Sequence, residues 1–230
     1  MLNCMRKVLL ALTIIGFLTA DIYAAPCYGT RMPRRKEFSV GLQSHSIFKR
    51  YLENENGKLR SLQQFLLLSA GVFDWLAIDL KVGAGNITQH PVGSSEIDYP
   101  YGFSGGYGFR LKLYDAKNMR SVFGFQHISV HPKSKDAAGL KNKAILDDWQ
   151  FSFLVSRQLG WVMPYVGARW SRLDYIHRVG GQRKRKMSDL TKSTGFILGL
   201  DLNLTKRSWI NLEGEFFDSE AFAVSLNHDF

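Results

Sequence analysis

Ala221-Phe222-Ala223-Val224-Ser225-Leu226-Asn227-His228-Asp229-Phe230 closes the sequence. Phe222, Val224, Leu226, His228 and Phe230 form one row; Ser225, Asn227 and Asp229 form the other, with Ala221 and Ala223 behind them. Side chains of a strand alternate between faces, so this is a strand with one mostly apolar and one polar face. A soluble sheet has no reason to end on an exposed aromatic, whereas a barrel closing its last strand in a bilayer does. The expectation is therefore a barrel whose final strand seals against its first and leaves no open edge.

The same period of two recurs upstream. Phe38, Val40 and Leu42 alternate with Ser39, Gly41 and Gln43, and Leu76, Ile78, Leu80, Val82 and Ala84 with Asp79, Lys81, Gly83 and Gly85. Tyr101–Leu113 sets aromatic and aliphatic residues against Gly102, Ser104, Gly106, Gly108, Arg110 and Lys112. Trp149–Val155, Val162–Ser171, Phe196–Leu204 and Ile210–Phe216 repeat the pattern, and less regular runs at Gln64–Val72 and Ser121–His131 bring the count to ten. Links after even-numbered runs are short: Phe73–Trp75, Asp115–Met119, Gln158–Gly160 and Thr205–Arg207. Those after odd-numbered runs are mostly long: His45–Leu62, Ile87–Asp98, Pro132–Ala144 and Ile176–Lys192, with only Asp218–Glu220 brief. Loops sorted by side and an even strand count belong to a membrane barrel with both termini on the short-turn side. The fold expected is all-β, an antiparallel transmembrane β-barrel of ten strands over residues 37–230. A soluble sandwich alternates too but need not sort its loops, and a lipocalin-like barrel is apolar inside. A spanning helix is excluded: the best candidate, Leu66–Gly85, holds Asp74, Asp79 and Lys81, each costing about 2.5–3.5 kcal/mol at a helix centre.

A chain of 230 residues suits one domain. Its 22% charged and 45% hydrophobic residues look soluble, as they do when half of each strand faces a polar lumen. The net charge of +10 would suit nucleic acid, anionic lipid or another polyanionic surface. The N-terminus chooses among them. Arg6 and Lys7 precede the 13-residue apolar run Val8–Ala20, and small residues follow at Ala20, Ala24 and Ala25. This is a secretory signal peptide, too short for a spanning anchor of about 20 residues. Cleavage is expected after Ala24, with Ala20 and Ala25 as alternatives, leaving a signal peptide at 1–24 and a periplasmic N-terminal segment at 25–36. Export removes nucleic acid as a partner. Cys4 leaves with the signal, so Cys27 has no intramolecular partner, and Ala24-Ala25-Pro26 is a poor lipoprotein box.

The terminal strand resembles the C-terminal signature of Gram-negative outer-membrane β-barrels, in which a terminal Phe such as Phe230 is typical. That resemblance implies residence in the outer membrane, insertion by the barrel-assembly machinery through this strand, and contact with outer-membrane lipid and lipopolysaccharide. Met163-Pro-Tyr-Val-Gly-Ala-Arg-Trp-Ser-Arg-Leu-Asp174 is similar to one strand of porin-like proteins, including the chlamydial major outer membrane protein. On these resemblances the role is structural or surface-contact, with narrow-pore activity allowed.

The inferred inner face carries Asp79, Lys81, Arg110, Lys112, Asp148, Arg169, Asp201, Glu213 and Glu215. Such charges either pair into a rigid plug or line a narrow solute path. Barrels of about eight strands are filled by side chains and those of 16–18 hold a channel, so ten lies nearer to filled.

Two constellations could carry chemistry. In Phe125-Gln-His-Ile-Ser-Val-His131, His127 and Ser129 share a face, and Asp147 on the next strand could orient the base. The His-x-Ser pair resembles two outer-membrane lipid hydrolases, the lipid A deacylase and phospholipase A, whose pair faces lipid; this implies a serine-dependent lipid esterase as the alternative function. Both families follow the serine with Asn where Val130 stands here, and Asp147 lies further along than their third residue. Arg178, Arg183, Lys184, Arg185 and Lys186 surround Gly180-Gly181 in an outward loop that could hold lipopolysaccharide phosphates. Trp149, Tyr101, Phe103 and Trp170 suit interfacial girdles. The six His are scattered without metal spacing, and Gly102–Gly108 lacks a strand-to-helix context, so neither a metal nor a phosphate-loop cofactor is expected.

Overall fold

The computed structural model describes residues 28–53, 56–93, 95–137, 139–179 and 182–230. The expected signal peptide, its expected cleavage sites and Cys27 lie outside them. Twelve strands follow in order: β1 (Phe38–Tyr51), β2 (Lys58–Phe73), β3 (Leu76–His90), β4 (Ile97–Ala116), β5 (Met119–His131), β6 (Lys135–Ala137), β7 (Leu140–Arg157), β8 (Val162–Val179), β9 (Gln182–Met187), β10 (Thr194–Asn203), β11 (Ser208–Phe216) and β12 (Ser219–Asp229). All but the short β6 and β9 form one closed antiparallel ring, with β12 returning to β1 and β7 to β8.

The seam is the one the terminal stretch dictates. Leu42 faces Leu226 and Ser39 faces Asp229, the Phe230 amide donates to the Phe38 carbonyl at 2.9 Å, and the Phe38 and Phe230 rings stack with centroids 5.0 Å apart. Along the wall Leu80, Val82, Phe103, Phe153 and Leu226 are exposed, while their polar neighbours Asp79, Lys81, Ser104, Ser152, Ser225 and Asn227 are buried. This is the arrangement of a membrane-spanning barrel, apolar outside and polar within.

The expected long loops are mostly strand. β1 continues to Tyr51 and β2 starts at Lys58, β3 and β4 extend to His90 and from Ile97, and the last two long links contain β6 and β9. Extending the ladder satisfies backbone groups that a loop would leave to water. The alternation persists there with its sense reversed. Ile128 and Val130, Ala144 and Leu146, Leu173 and Tyr175 point inward, whereas Ser129, His131, Lys143, Asp147, Arg172 and Arg178 point outward. With Leu59, Ile87 and Tyr99 they build an apolar core in the outward half of the barrel.

The lower half of the interior is ionic. Arg110 binds Asp79 through Nε and Nη2, both at 2.8 Å, and Arg169 binds Asp218 through Nη2 at 2.7 Å. Of the segment expected in the periplasm, Tyr28 and Thr30 lie in this layer, while Met32 and Arg34 line the short-turn mouth. Tyr28 and Thr30 rise into the lumen, where the Tyr28 ring lies under Lys81 Nζ at 4.3 Å and Thr30 donates to Ser156 at 2.7 Å. Arg110 Nη1 donates to the Tyr28 and Arg31 carbonyls at 3.2 and 2.5 Å. An aromatic face and backbone carbonyls thus join the carboxylates around these buried cations.

Candidate outer-wall site

Three adjacent strands bring the outward polar residues together. The ladder sets Ser129 of β5 opposite Asp147 of β7, and Asp147 opposite Asp174 of β8; one step inward, His127, Trp149 and Arg172 form the next row. Ser129 lies ten residues along β5 from Met119. At about 3.4 Å per residue and a tilt of about 40°, that is about 26 Å of height, close to the apolar band of about 25 Å on such barrels. The alternation reverses at the same level. Ser129 therefore stands where the apolar outer row of β5 ends, while on the neighbouring β4 Phe103, opposite His131, is still exposed.

Its hydroxyl has two partners. Ser129 Oγ lies 2.7 Å from His131 Nε2 and also hydrogen-bonds Asp147 Oδ1. One hydroxyl carries one proton. Given to His131, it makes the imidazole a base; given to Asp147, it leaves His131 to donate from Nε2. His127, the base expected from the sequence, lies beside the carboxylate and has no hydrogen bond to the hydroxyl among the described residues. Its ring packs 4.3 Å from Trp149 and 5.3 Å from Tyr107, and its Nε2 approaches Asp147 Oδ1 at 3.7 Å. Of the residues that spacing grouped, the structure brings Ser129 and Asp147 into contact, and it sets His131 beside the hydroxyl, since the i, i+2 argument serves both flanking histidines equally.

The basic cluster proves to be the β8–β9 hairpin. Arg178 faces Arg183, His177 faces Lys184, and Ile176 faces Arg185, so Arg178, Arg183 and Arg185 share the outer face while Lys184 and Lys186 lie on the opposite one. Arg185 pairs with Asp174, which Arg172 Nε also approaches at 3.7 Å. Partial burial, with Lys184 nearby, holds the Lys186 ammonium below its usual range. The expected five-residue cluster is thus divided between two faces.

The inner-face residues occupy the ionic layer. Asp79, Lys81, Arg110, Asp148, Arg169, Asp201, Glu213 and Glu215 are all buried, and Lys112 sits near the short-turn rim, paired with Asp115 at 3.1 Å. Asp148 accepts from Ser171 and Gln150, Glu213 from Tyr165, and Asp201 from Asn211, at 2.6–2.7 Å. Arg50 and Asp218, bound at 2.8 Å, complete the layer. The sequence concealed both, Asp218 in a turn and Arg50 in a stretch expected to be loop. Met163–Asp174 supplies the inward Arg169 and the outward Trp170. Among the described residues no group of His, Cys, Asp and Glu could hold a metal ion.

No protein-family model matches the chain, and no curated protein sequence does. Solved structures similar to it include the attachment invasion locus protein Ail of Yersinia pestis, at 11% identity and a TM-score of 0.43, covering 85% of this chain and 99% of that one. The translocator domain of the autotransporter NalP from Neisseria meningitidis is similar at 11% identity and TM-score 0.44, covering 84% and 87%. The outer membrane protease OmpT from Escherichia coli stands at 10% and 0.38, covering 84% and 95%.

Proposed function

We propose that this chain is an outer-membrane barrel, closed to solutes, that acts at its outer wall and surface. The observation that carries this is the filled interior: an ionic layer threaded by Tyr28 and Thr30, and an apolar layer above it. Interior spaces beside Tyr28 amount to about 10 and 20 Å³, the size of a single water. The large opening, about 670 Å³ and lined by Arg31, Glu37, Arg120 and Asp229, lies at the short-turn mouth. The test is conductance of the purified chain in a planar bilayer. The expected record has no open events; steady single-channel steps would restore the narrow-pore reading.

A second reading, lipid ester hydrolysis, is favoured by the contact of 2.7 Å between Ser129 and His131 at the lipid boundary. Ser129 Oγ would attack an acyl ester carbonyl as its proton passes to His131 Nε2. The departing alkoxide takes that proton, and water then cleaves the acyl-serine. Ser129→Ala and His131→Gln should then each abolish acyl release from phospholipid or lipid A, while His127→Gln retains part of it. Equal release by wild type and Ser129→Ala would end this reading.

A further inference from the structure

Above Ser129 the outer wall carries a row of like charges. Arg178 on β8 lies directly opposite Lys143 on β7 and directly opposite Arg183 on β9, all on the outward face. Cross-strand neighbours have Cβ atoms about 4.5–5.5 Å apart, and like charges so placed destabilise a sheet. Among the described residues no carboxylate pairs with any of the three, nor with Lys133, whereas Arg172 and Arg185 just beside them have Asp174. A sheet that places three cations in one row without acids gains from an anion bridging them.

The wall is recessed there. A hollow of about 660 Å³ is lined by His131, Lys133, Lys143, Ile145, Ile176 and Arg178. Its cations surround an apolar patch from Ile145 and Ile176, and such a volume suits a headgroup. It opens on the outward face, one to two ladder steps above the Ser129–Asp147 level. A phosphate tethered to an acyl anchor reaches this height while the anchor stays against Trp149 and Phe151 below.

We propose that Lys143, Arg178 and Arg183, with Lys133, bind the phosphate-bearing headgroup of an outer-leaflet lipid. The proposal rests on the outer-membrane reading and is independent of the esterase reading. Charge-assisted hydrogen bonds to phosphate oxygens would offset the repulsion within the row.

The test uses the full chain in detergent micelles with three probes: lipid A bearing both phosphates, dephosphorylated lipid A, and inorganic phosphate. Wild type should bind the phosphorylated lipid about tenfold or more tightly over the dephosphorylated one, with affinity falling as salt rises. The double variant Lys143→Gln/Arg178→Gln should lose that preference, and Arg60→Gln, whose side chain is paired with Glu96, should keep it. Without lipid and at low salt, the double variant should unfold at the same temperature as wild type or higher, because repulsion has been removed. Equal binding of the two lipids by wild type, or an unchanged preference in the double variant, would overturn the proposal. So would inorganic phosphate saturating at the same concentration as the lipid, which would mark a free-anion site. Gel migration separates the levels: a chain with no heat shift overturns the barrel reading itself, and a heat-shifting barrel that does not discriminate overturns only this site.

Discussion

Arg169 is a residue whose place was legible and whose partners were not. Its parity in Val162–Ser171 put it inside, but Asp218 and Ser219 lie in the turn at the head of β12, where alternation says nothing. Arg169 Nε donates to Asp218 at 2.8 Å, Nη2 to Ser219 Oγ at 2.7 Å, and Nη1 pairs with Glu215. Removing one member of a buried ion pair leaves uncompensated charge and costs about 3–5 kcal/mol. Arg169→Gln should lower unfolding stability by about that much, read as the urea concentration at which the fast-migrating folded band disappears. Arg60→Gln, from an exposed pair with Glu96, should change it by about 0–1 kcal/mol. Equal shifts for both would mean that the lumen is wet and screened. The same limit applies to His131: a serine on a strand has a histidine within reach on either side, and only coordinates choose between them.

At the scale of elements, the ten strands could be read because each exposes a repeating apolar row, and their outward ends could not because the row changes sense. Ile128 and Val130 inside with Ser129 and His131 outside is ordinary soluble-sheet chemistry, and it looks like a loss of pattern to a template built for lipid. The N-terminal segment had no periodicity to read, yet Tyr28 completes the ionic layer. Its ring sits 4.3 Å from Lys81 Nζ and 5.0 Å from the Arg110 guanidinium carbon. Loss of a half-buried ring and its two cation–π contacts should make Tyr28→Ala less stable by about 3 kcal/mol, with the barrel still formed. Among the described residues the Tyr28 hydroxyl has no hydrogen-bond partner. Tyr28→Phe should therefore be as stable as wild type or more so, since it removes a buried polar group and keeps the ring. Thermal melts of the two variants check this; a destabilised Tyr28→Phe would mean the hydroxyl is satisfied by water.

The whole molecule is two folds stacked on one ring of strands, a membrane barrel below and a soluble-type core above, and the reversal of alternation is the boundary between them. This makes the depth of any outward residue predictable from sequence once the reversal is located. On β7 the apolar outer row runs through Phe153, Phe151 and Trp149 to Asp147, beyond which Ile145, Lys143 and Lys141 stand over an apolar interior. An arginine on the lipid face of a barrel costs about 2–4 kcal/mol at the midplane and about 0–1 near the interface. Phe153→Arg should therefore destabilise the chain in phospholipid vesicles by about 2–4 kcal/mol, and Ile145→Arg by no more than about 1 kcal/mol. Both positions face outward, so neither change buries a charge in the lumen, and the difference between them reports depth. In detergent, where headgroup and micelle deform around a charge, the gap should narrow. Equal costs at the two positions in vesicles would detach the membrane boundary from the reversal, and with it the placement of Ser129 and the Lys143–Arg178–Arg183 row at headgroup height.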